Sequence, residues 1–442
     1  MRERLLAAAI GLVLLGGVAG AMTTDDESTA ASGAPAPELE AGPVGDRTEW
    51  VLRFLNQGEQ EDLDAVFAPA FLAQVPAEQV IALADRELRP LGPYEIESIL
   101  EESATEAVLI LRGATGAAWR MSIAVVGDRI TSLLLQPYQD DRSKPGSWDE
   151  LERRLRDAAP DMAFLAAEVV DGECRPVHAI DADRVLPLGS AFKLYVLGAA
   201  ADAVAAGTAS WDDMLTITDE RRVHSSMTYG ETAAGTQVSL RDAAQAMISV
   251  SDNTATDLVL EHVGRAAVEA QLPIMGMADP SRNLPFLSTR ELTFVKWVFS
   301  DEERQEYIDA DVERRRAILD ALPDRGATLE DLSDLASGPV AVDELEWFAS
   351  PLDLCRAHVA LQTKGDEVRR ILSLNRGVDI DRDRFPYVAF KGGSEPGVLA
   401  GAWYAEMTDG RKRFVAALLM NEDAEVASTI LLDVAAAFDL FD

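Results

Sequence analysis

The sequence predicts an α+β fold built from two domains, and three observations support that expectation. Between residues 47 and 138, segments with helical spacing of apolar residues are followed by segments that alternate apolar and polar residues. Beyond residue 147, two strand-like hairpins enclose a long middle stretch with helical spacing. The 442-residue chain, with 48% hydrophobic residues, is long and apolar enough to bury the cores of two domains.

The first predicted domain comprises residues 47–138 and shows no catalytic cluster. Its predicted helices are 50–55, 63–75 and 77–88, and its predicted strands are 94–100, 107–112, 119–126 and 130–136. This order resembles the steroid-isomerase and nuclear-transport-factor-like folds, in which a curved sheet packs on helices. Because no acid, base or nucleophile stands out in it, we interpret this domain as a packing or substrate-shaping module.

The remaining boundaries follow from composition. Residues 1–21 carry two early arginines, an apolar run and a small-residue exit, which is typical of a secretory signal peptide. Residues 22–46 indicate a disordered tether, and residues 139–146 indicate a linker to the second domain at 147–442. We therefore expect a secreted, extracytoplasmic protein. The alternative is a membrane anchor formed by an uncleaved first segment.

The charge and the few potential metal ligands narrow the classes of partner. A formal net charge of −36 disfavours binding to nucleic acid and to anionic membrane surfaces, because both would be repelled. The two cysteines and four histidines show no metal-ligand spacing, so we expect neither a metal nor another cofactor. Export would permit a disulfide between Cys174 and Cys355, but the sequence alone does not place them together.

The most informative motif is Ser190-Ala-Phe-Lys193, which opens an apolar helical stretch ending near Gly207. This stretch is apolar on nearly all sides, so the helix should be buried and Lys193 desolvated. Desolvation lowers the pKa of an ammonium group and lets a neutral amine act as a base. Positions i and i+3 share a helix face, so Lys193 can reach the Ser190 hydroxyl. The motif indicates a serine nucleophile with a lysine base; the simpler alternative is a helix-start serine beside a solvated lysine.

Two later motifs favour the catalytic interpretation. Ser251-Asp252-Asn253 lies on a predicted turn between two helices, where these residue types are also common helix caps. Lys391-Gly392-Gly393-Ser394 ends a predicted strand, and its glycines suit a bulge or a close backbone approach. Each motif alone is weak. Together the three motifs contain two of only six lysines in the chain, which is not expected by chance.

The order and type of the three motifs resemble the serine β-lactamase and penicillin-binding protein superfamily, in its class A β-lactamase-like form. The resemblance implies a domain with a five-stranded antiparallel sheet flanked by helices and an all-helical subdomain. It also implies an acyl-transfer site with Ser190 as nucleophile and Lys193 as its base. The other residues implied are Ser251 and Lys391 as proton carriers to the leaving group, Asn253 as a hydrogen-bonding wall, Gly392, Gly393 and Ser394 beside the substrate, and the N–H groups of Ser190 and Ser394 as the oxyanion hole.

Two departures from the family pattern bear on substrate and turnover. Gly392 stands where the family has Thr or Ser, and the Ser394 hydroxyl, on the same side of the strand, could replace the missing one. Class A enzymes also carry an E-x-x-L-N loop whose glutamate activates the deacylating water, but residues 272–289 contain no glutamate. Nearby Glu291 ends a capping-box pattern that begins at Ser288, which indicates a structural role. We therefore expect acylation but not rapid β-lactam hydrolysis.

A small N-terminal domain followed by a domain with Lys-Gly-Gly-Ser-Glu-Pro-Gly as its third motif is similar to a two-domain β-lactamase-like group found in a clavulanic acid biosynthetic cluster, some of whose members act as cephalosporin esterases. We expect a secreted serine hydrolase that forms an acyl-enzyme with a small β-lactam or ester. The alternatives are a true β-lactamase with an unconventional base, a penicillin-binding protein-like D-alanyl carboxypeptidase acting on peptidoglycan peptides, and a non-catalytic, acyl-accepting binder. The charged stretch 301–346 should be surface, or else a lid with Trp347 and Phe348 as apolar walls.

Overall fold

A computed structural model describes the chain at residues 37, 39, 42–57, 63–72, 77, 80–81, 84–103, 105–116, 118–138, 144–223, 228–230, 232–322 and 338–441. The chain divides into two compact units, residues 1–144 and 145–442. The predicted signal peptide and most of the predicted tether lie outside the described residues. Within the described ranges, no helix combines the length and the apolar character that a membrane span requires.

The first unit contains a four-stranded antiparallel sheet whose strands pair in sequence order. Its elements are α1 (Pro43–Gln57), α2 (Leu63–Val66), α3 (Pro69–Leu72), a π-helical turn (Ala84–Leu88), a 3₁₀ turn (Arg89–Leu91), β1 (Tyr94–Glu102), β2 (Glu106–Gly113), β3 (Ala118–Val126) and β4 (Arg129–Pro137). The rings of Trp50, Phe54 and Phe67 pack together in its core. Pro69 lacks a backbone N–H, so the helix predicted over 63–75 divides into α2 and α3. The likeness of this unit to steroid-isomerase folds stays a prediction.

The second unit combines a sheet with many helices, which confirms the predicted α+β class. Its elements are α4 (Trp148–Ala158), β5 (Asp161–Val170), β6 (Glu173–Ile180), β7 (Leu186–Pro187), a 3₁₀ turn (Gly189–Phe192), α5 (Lys193–Ala205), β8 (Met214–Thr216), β9 (Gln237–Ser239), α6 (Leu240–Ser249), α7 (Asn253–Val263), α8 (Arg265–Ile274), α9 (Thr289–Thr293), a π-helical segment (Phe294–Val298), α10 (Asp301–Asp309), α11 (Val312–Asp320), β10 (Phe348–Ala349), α12 (Pro351–Gln362), α13 (Asp366–Leu372), β11 (Tyr387–Glu395), β12 (Val398–Glu406), β13 (Lys412–Met420) and α14 (Ile430–Ala436).

Five antiparallel strands form the central sheet in the order β11-β12-β13-β5-β6. All residues of β12 except Glu406 are buried, so both faces of the sheet are covered at its centre. Helix α12 packs against β5, β6, β12 and β13, and α4 and α14 pack against each other and against the sheet. The predicted five-stranded antiparallel sheet with flanking helices is therefore confirmed.

Helix α5 runs through the helical half of this unit and packs on α6, α7, α8 and α12. Residues 193 to 201 are buried without interruption, as the apolar sequence predicts. Gly198 faces the side chain of Met275 so closely that a Cβ at this position would clash. The helix that follows Ser190 is thus fixed along much of its length by packing.

Cys174 in β6 and Cys355 in α12 form a disulfide. The sequence left this pairing open because 181 positions separate the two residues. Their proximity depends on the docking of α12 against the edge strand β6, which only the three-dimensional fold establishes.

His358, on α12, is a base enclosed in an apolar core. It is fully buried, and its ring centre lies 5.6 Å from that of Phe414. In the part of the chain that the structure describes, neither of its ring nitrogens has a hydrogen-bond partner. Burial lowers the pKa of His358 to about 3. The folded protein therefore holds this side chain in its neutral form over the physiological range of pH.

We expect His358 to make the fold sensitive to acid. Its folded-state pKa lies below the ordinary value of 6.5, so the unfolded chain binds the proton more tightly and stability is lost as pH falls below that value. The loss from this residue should be about 2 kcal/mol at pH 5. The free energy of unfolding would be measured with urea at pH 7 and at pH 5. The decrease between the two pH values should be smaller by this amount in His358→Leu than in wild type. The exposed His262 supplies the control, His262→Leu, and an unchanged pH difference in His358→Leu would contradict the prediction.

Candidate active site

The turn that carries Ser190 is fixed by close backbone contacts on both sides. Gly189 has φ of +47°, a left-handed conformation that favours glycine. A Cβ at Gly189 would lie 2.7 Å from the backbone nitrogen of Ser394. On the other side, the Leu188 N–H donates a hydrogen bond of 2.8 Å to the carbonyl of Trp347. Ser190 therefore lies at the start of the helical segment, beside the end of β11, and is partly exposed.

Lys193 is fully buried one helical turn after Ser190. Its Nζ lies 2.6 Å from the Ser251 carbonyl oxygen, 2.6 Å from Asn253 Oδ1 and 3.1 Å from Ser251 Oγ. Burial lowers the pKa of Lys193 to about 7, although nearby carboxylates oppose the shift. A neutral Lys193 amine can donate to the carbonyl and amide oxygens and keep its lone pair for a proton.

Ser251 and Asp252 lie in the turn between α6 and α7, and Asn253 is the first residue of α7. Ser251 has φ of +60°, which is uncommon for a non-glycine residue and persists only where the surroundings enforce it. The Asp252 carboxylate accepts hydrogen bonds from the backbone N–H groups of Ala255 and Thr228, both at 2.7 Å, and so ties the turn to α7 and to a neighbouring loop. The structure thus brings Ser251 and Asn253 to Lys193.

Lys391 approaches the same serine from the sheet. Its Nζ lies 3.0 Å from Ser251 Oγ and 2.9 Å from the Gly392 carbonyl oxygen. Burial lowers the pKa of Lys391 well below its ordinary value, and the charge of Lys193 lowers it further. Two amines on one hydroxyl group titrate as a pair, and repulsion favours the state in which only one of them carries a proton.

Gly393 allows β11 to touch the beginning of the nucleophile helix. A Cβ at Gly393 would lie 2.5 Å from the Ser190 nitrogen and 2.8 Å from the Ala191 nitrogen. A Cβ at Gly392 would instead meet the ring of Phe390 at 2.9 Å. The backbone nitrogens of Ser190 and Ser394 therefore lie at the same helix–strand junction. That the Ser394 hydroxyl replaces the one missing at Gly392 stays a prediction.

Asp257 is a buried member of this region that the sequence reasoning missed. Its carboxylate oxygens accept hydrogen bonds from the backbone N–H groups of Thr289 at 2.8 Å and Arg290 at 2.9 Å, which caps α9. Burial raises the pKa of Asp257 to about 6, and its negative charge favours protonated Lys193. The available signal was its position four residues after Asn253, on the same helix face.

Glu291 makes structural contacts. It forms a capping box with Ser288, and its Oε1 lies 2.5 Å from Arg265 Nη2 in an ion pair. Trp347 is buried, with its ring centre 3.6 Å from that of Phe192, so it packs beneath the Ser190 turn and is not an exposed wall. Residues 323–337 of the predicted surface or lid lie outside the described residues.

The site combines the parts that acyl transfer to a hydroxyl group requires. Ser190 supplies the hydroxyl, Lys193 an amine of lowered pKa, and Ser251 a second hydroxyl between two amines. We find no group of three or more His, Cys, Asp or Glu side chains placed to hold a metal ion among the described residues of either unit.

Similar solved structures include PBP-A, at 15% identity, covering 67% of this chain and 97% of that chain with a TM-score of 0.44. They also include a β-lactamase from Chitinophaga pinensis DSM 2588, at 17% identity, covering 65% of this chain and 94% of that chain with a TM-score of 0.43. A β-lactamase from Sphaerobacter thermophilus DSM 20745 is 18% identical, and the match covers 66% of this chain and 97% of that chain with a TM-score of 0.44. No curated protein matches the chain.

Two family models match separate parts of the chain. Residues 39–129 match the model described as ORF 12 gene product N-terminal. Residues 148–309, which include Ser190, Lys193 and the Ser251 turn, match the model described as the beta-lactamase enzyme family. Over residues 148–309, the second unit of this chain is therefore similar to the beta-lactamase enzyme family.

Proposed function

We propose that this chain is an exported serine hydrolase that forms an acyl-enzyme on Ser190 with a small ester or β-lactam. The observation that carries the proposal is Lys193, fully buried one turn from Ser190 and hydrogen-bonded to Ser251 and Asn253. Export is supported by the signal-peptide pattern and by the disulfide, because disulfides persist in oxidising compartments.

In the acylation step, neutral Lys193 takes the proton of the Ser190 hydroxyl while Oγ attacks the carbonyl carbon of the substrate. The carbonyl oxygen becomes negative and accepts hydrogen bonds from the N–H groups of Ser190 and Ser394, at the junction that Gly393 permits. The bond from the carbonyl carbon to the leaving nitrogen or oxygen then breaks. Ser190 is left as an ester of the acyl group.

Ser251 is the group best placed to protonate the leaving atom. Its Oγ lies 3.1 Å from Lys193 Nζ, which has received the Ser190 proton, and 3.0 Å from Lys391 Nζ. When both amines are protonated, their repulsion favours transfer of one proton through the Ser251 hydroxyl. The leaving group thus departs neutral, and Lys193 returns to its basic form.

We propose esters, including the 3′-acetate of cephalosporins, as the substrates that turn over. Residues 272–289 contain no glutamate that could activate water in the manner of class A enzymes, and Glu291 is engaged with Arg265 and Ser288. A β-lactam acyl-enzyme should therefore persist longer than the acyl-enzyme of a small ester. The competing acyl donor is a peptidoglycan peptide, as for a D-alanyl carboxypeptidase.

The proposal predicts a covalent adduct confined to Ser190. Purified protein would be incubated with a chromogenic cephalosporin bearing a 3′-acetate and, separately, with a fluorescent penicillin. Intact mass and product release would be followed for wild type and Ser190→Ala. We expect an adduct or turnover in wild type and neither in Ser190→Ala, with acetate loss faster than ring opening.

Ser210→Ala, at an exposed position beyond the far end of α5, provides a matched control, because it removes a hydroxyl group outside the three motifs. Modification of Ser190→Ala at the wild-type rate would overturn the assignment of the nucleophile. A permanent penicillin adduct without ester turnover would indicate an acyl-accepting binder, and rapid ring opening would indicate a β-lactamase.

A further inference from the structure

Lys296, Glu346 and Glu395 form a buried cluster outside the three sequence motifs. Lys296 Nζ makes an ion pair with Glu395 Oε1 and lies 3.7 Å from Glu346 Oε1. The side chains of Lys296 and Glu346 are 0% and 1% exposed, and that of Glu395 is 11% exposed. Three ionisable side chains in such surroundings require close compensation of charge, because burial of an unpaired charge is costly.

The cluster joins the two chain segments that carry the backbone N–H groups of the site. Glu395 directly follows Ser394 at the end of β11. Glu346 Oε2 accepts a hydrogen bond of 2.9 Å from the Trp347 N–H, and the Trp347 carbonyl accepts the Leu188 N–H at 2.8 Å, two residues before Ser190. A shift within the cluster would therefore be transmitted to both N–H groups.

The charges of the cluster balance only if one carboxyl group is protonated. Two carboxylates and one ammonium would leave a net negative charge in the interior. Glu346 Oε1, as a carboxylate oxygen, has no hydrogen-bond donor within the described ranges, but a proton on Glu346 would give it an O–H group to donate to Glu395. Burial raises the pKa of Glu346 well above its ordinary value, and the negative charge of Glu395 raises it further, with Lys296 opposing the shift.

Other charged or titratable side chains line a small cavity beside Glu346 and Trp347. They are Arg282, Arg315, Tyr307 and Glu344. The guanidinium of Arg282 donates to the Asp343 carbonyl, and that of Arg315 donates to the Tyr307 carbonyl. Within the described residues Glu346 forms one ion pair, with Lys296, and Lys296 also pairs with Glu395.

We propose that Lys296, Glu346 and Glu395 share a single proton in addition to the lysine charge, and that the neutral cluster positions the N–H groups of Ser190 and Ser394. The three side chains are positioning residues for the acylation step, so this part of the inference rests on the proposed function. Ionisation of Glu346 as the pH rises would then disturb the junction between β11 and the Ser190 turn and slow acylation.

The test compares the same chemical change at two positions of the cluster. Glu395→Gln removes the charge that balances Lys296 and should slow acylation about 10- to 100-fold at every pH, since loss of one oxyanion donor costs up to about 1,000-fold. Glu346→Gln replaces one neutral donor by another and should cost less at neutral pH while extending acylation to higher pH. Glu344→Gln, at an exposed neighbouring position, is the control. The readout is the rate of adduct formation against pH.

A second readout does not depend on activity. The infrared C=O stretch of a protonated carboxyl group should be present at neutral pH in wild type and in Glu344→Gln, and absent in Glu346→Gln. Circular dichroism would verify that each variant folds. If Glu395→Gln does not fold, the double variant Lys296→Met/Glu395→Gln would take its place, because it removes both charges of the ion pair. This double variant should also acylate more slowly than wild type.

Equal pH profiles for the two cluster variants, or a carboxyl band that Glu346→Gln leaves unchanged, would overturn the inference. Should wild type form no adduct at all, the proposed function fails, and the infrared band still decides whether the cluster holds the proton. The two failures are therefore distinguishable.

Discussion

Replacing Lys193 with methionine should slow acylation of Ser190 by about 100- to 10,000-fold, the usual contribution of a positioned general base. Methionine preserves much of the length and apolar contact of the lysine stem in its buried position. It removes the amine that lies 2.6 Å from Asn253 Oδ1 and one turn from Ser190. The loss should therefore appear in the rate of adduct formation measured by intact mass under single-turnover conditions.

The pH dependence of the wild-type rate should identify the same group. Because Lys193 acts as a base only when neutral and its pKa is lowered to about 7, acylation should rise with pH up to about that value and then level off. Lys391 lies on the same hydroxyl group, so the apparent pKa belongs to the pair. The pH profile of the residual Lys193→Met rate should lack this rise.

An exposed lysine on β13, Lys412, gives the matched control. Lys412→Met makes the same chemical change at a distance from the site and should leave both the rate and its pH profile unchanged. Acylation of Lys193→Met within about threefold of wild type would contradict the assignment of the base, because it would leave almost none of the general-base contribution to this residue.

Loss of the Cys174–Cys355 disulfide should lower the free energy of unfolding by about 2–5 kcal/mol. The bridge joins residues separated by 181 positions, so it restricts a large part of the unfolded chain. It also ties α12 to the edge strand β6, and Cys355 is fully buried at that contact. We expect urea unfolding of Cys174→Ala/Cys355→Ala to show this decrease relative to oxidised wild type.

Reduction of wild type should produce a similar decrease, whereas the double variant should not respond to reductant. Intact mass after alkylation would verify that reduction is complete. If reduced and oxidised wild type unfold at the same urea concentration, the disulfide contributes nothing to stability and the prediction is wrong.

The parts of the fold that the sequence predicted well are those with strong local signals. The uninterrupted apolar residues after Lys193 predict a buried helix, and α5 is buried over residues 193 to 201. The hairpins of the sheet follow from apolar strands bounded by turn residues, such as β12 and β13. The helices of the first unit were harder to predict, because prolines such as Pro69 divide short amphipathic segments.

The candidate site shows the same division between local and long-range information. The spacing of Ser190 and Lys193 predicts one shared helix face, because that relation depends only on helical geometry. The meeting of Lys193 with Ser251 and Lys391 was expected only by resemblance, since no local pattern brings three distant segments together. Buried Glu346 was missed for this reason, because an isolated glutamate in a charged stretch has no periodic signal.

By itself, the sequence determined the class of fold, the identity of the three motifs and the helical relation between Ser190 and Lys193, all of which depend on residue type and short spacing. Only the tertiary structure decided the pairing of Cys174 with Cys355, the two amines on Ser251, and the enclosure of Lys296. These features require segments far apart in the chain to pack at atomic distances. Burial then alters the pKa of each enclosed group, and burial is a property of the packed chain as a whole.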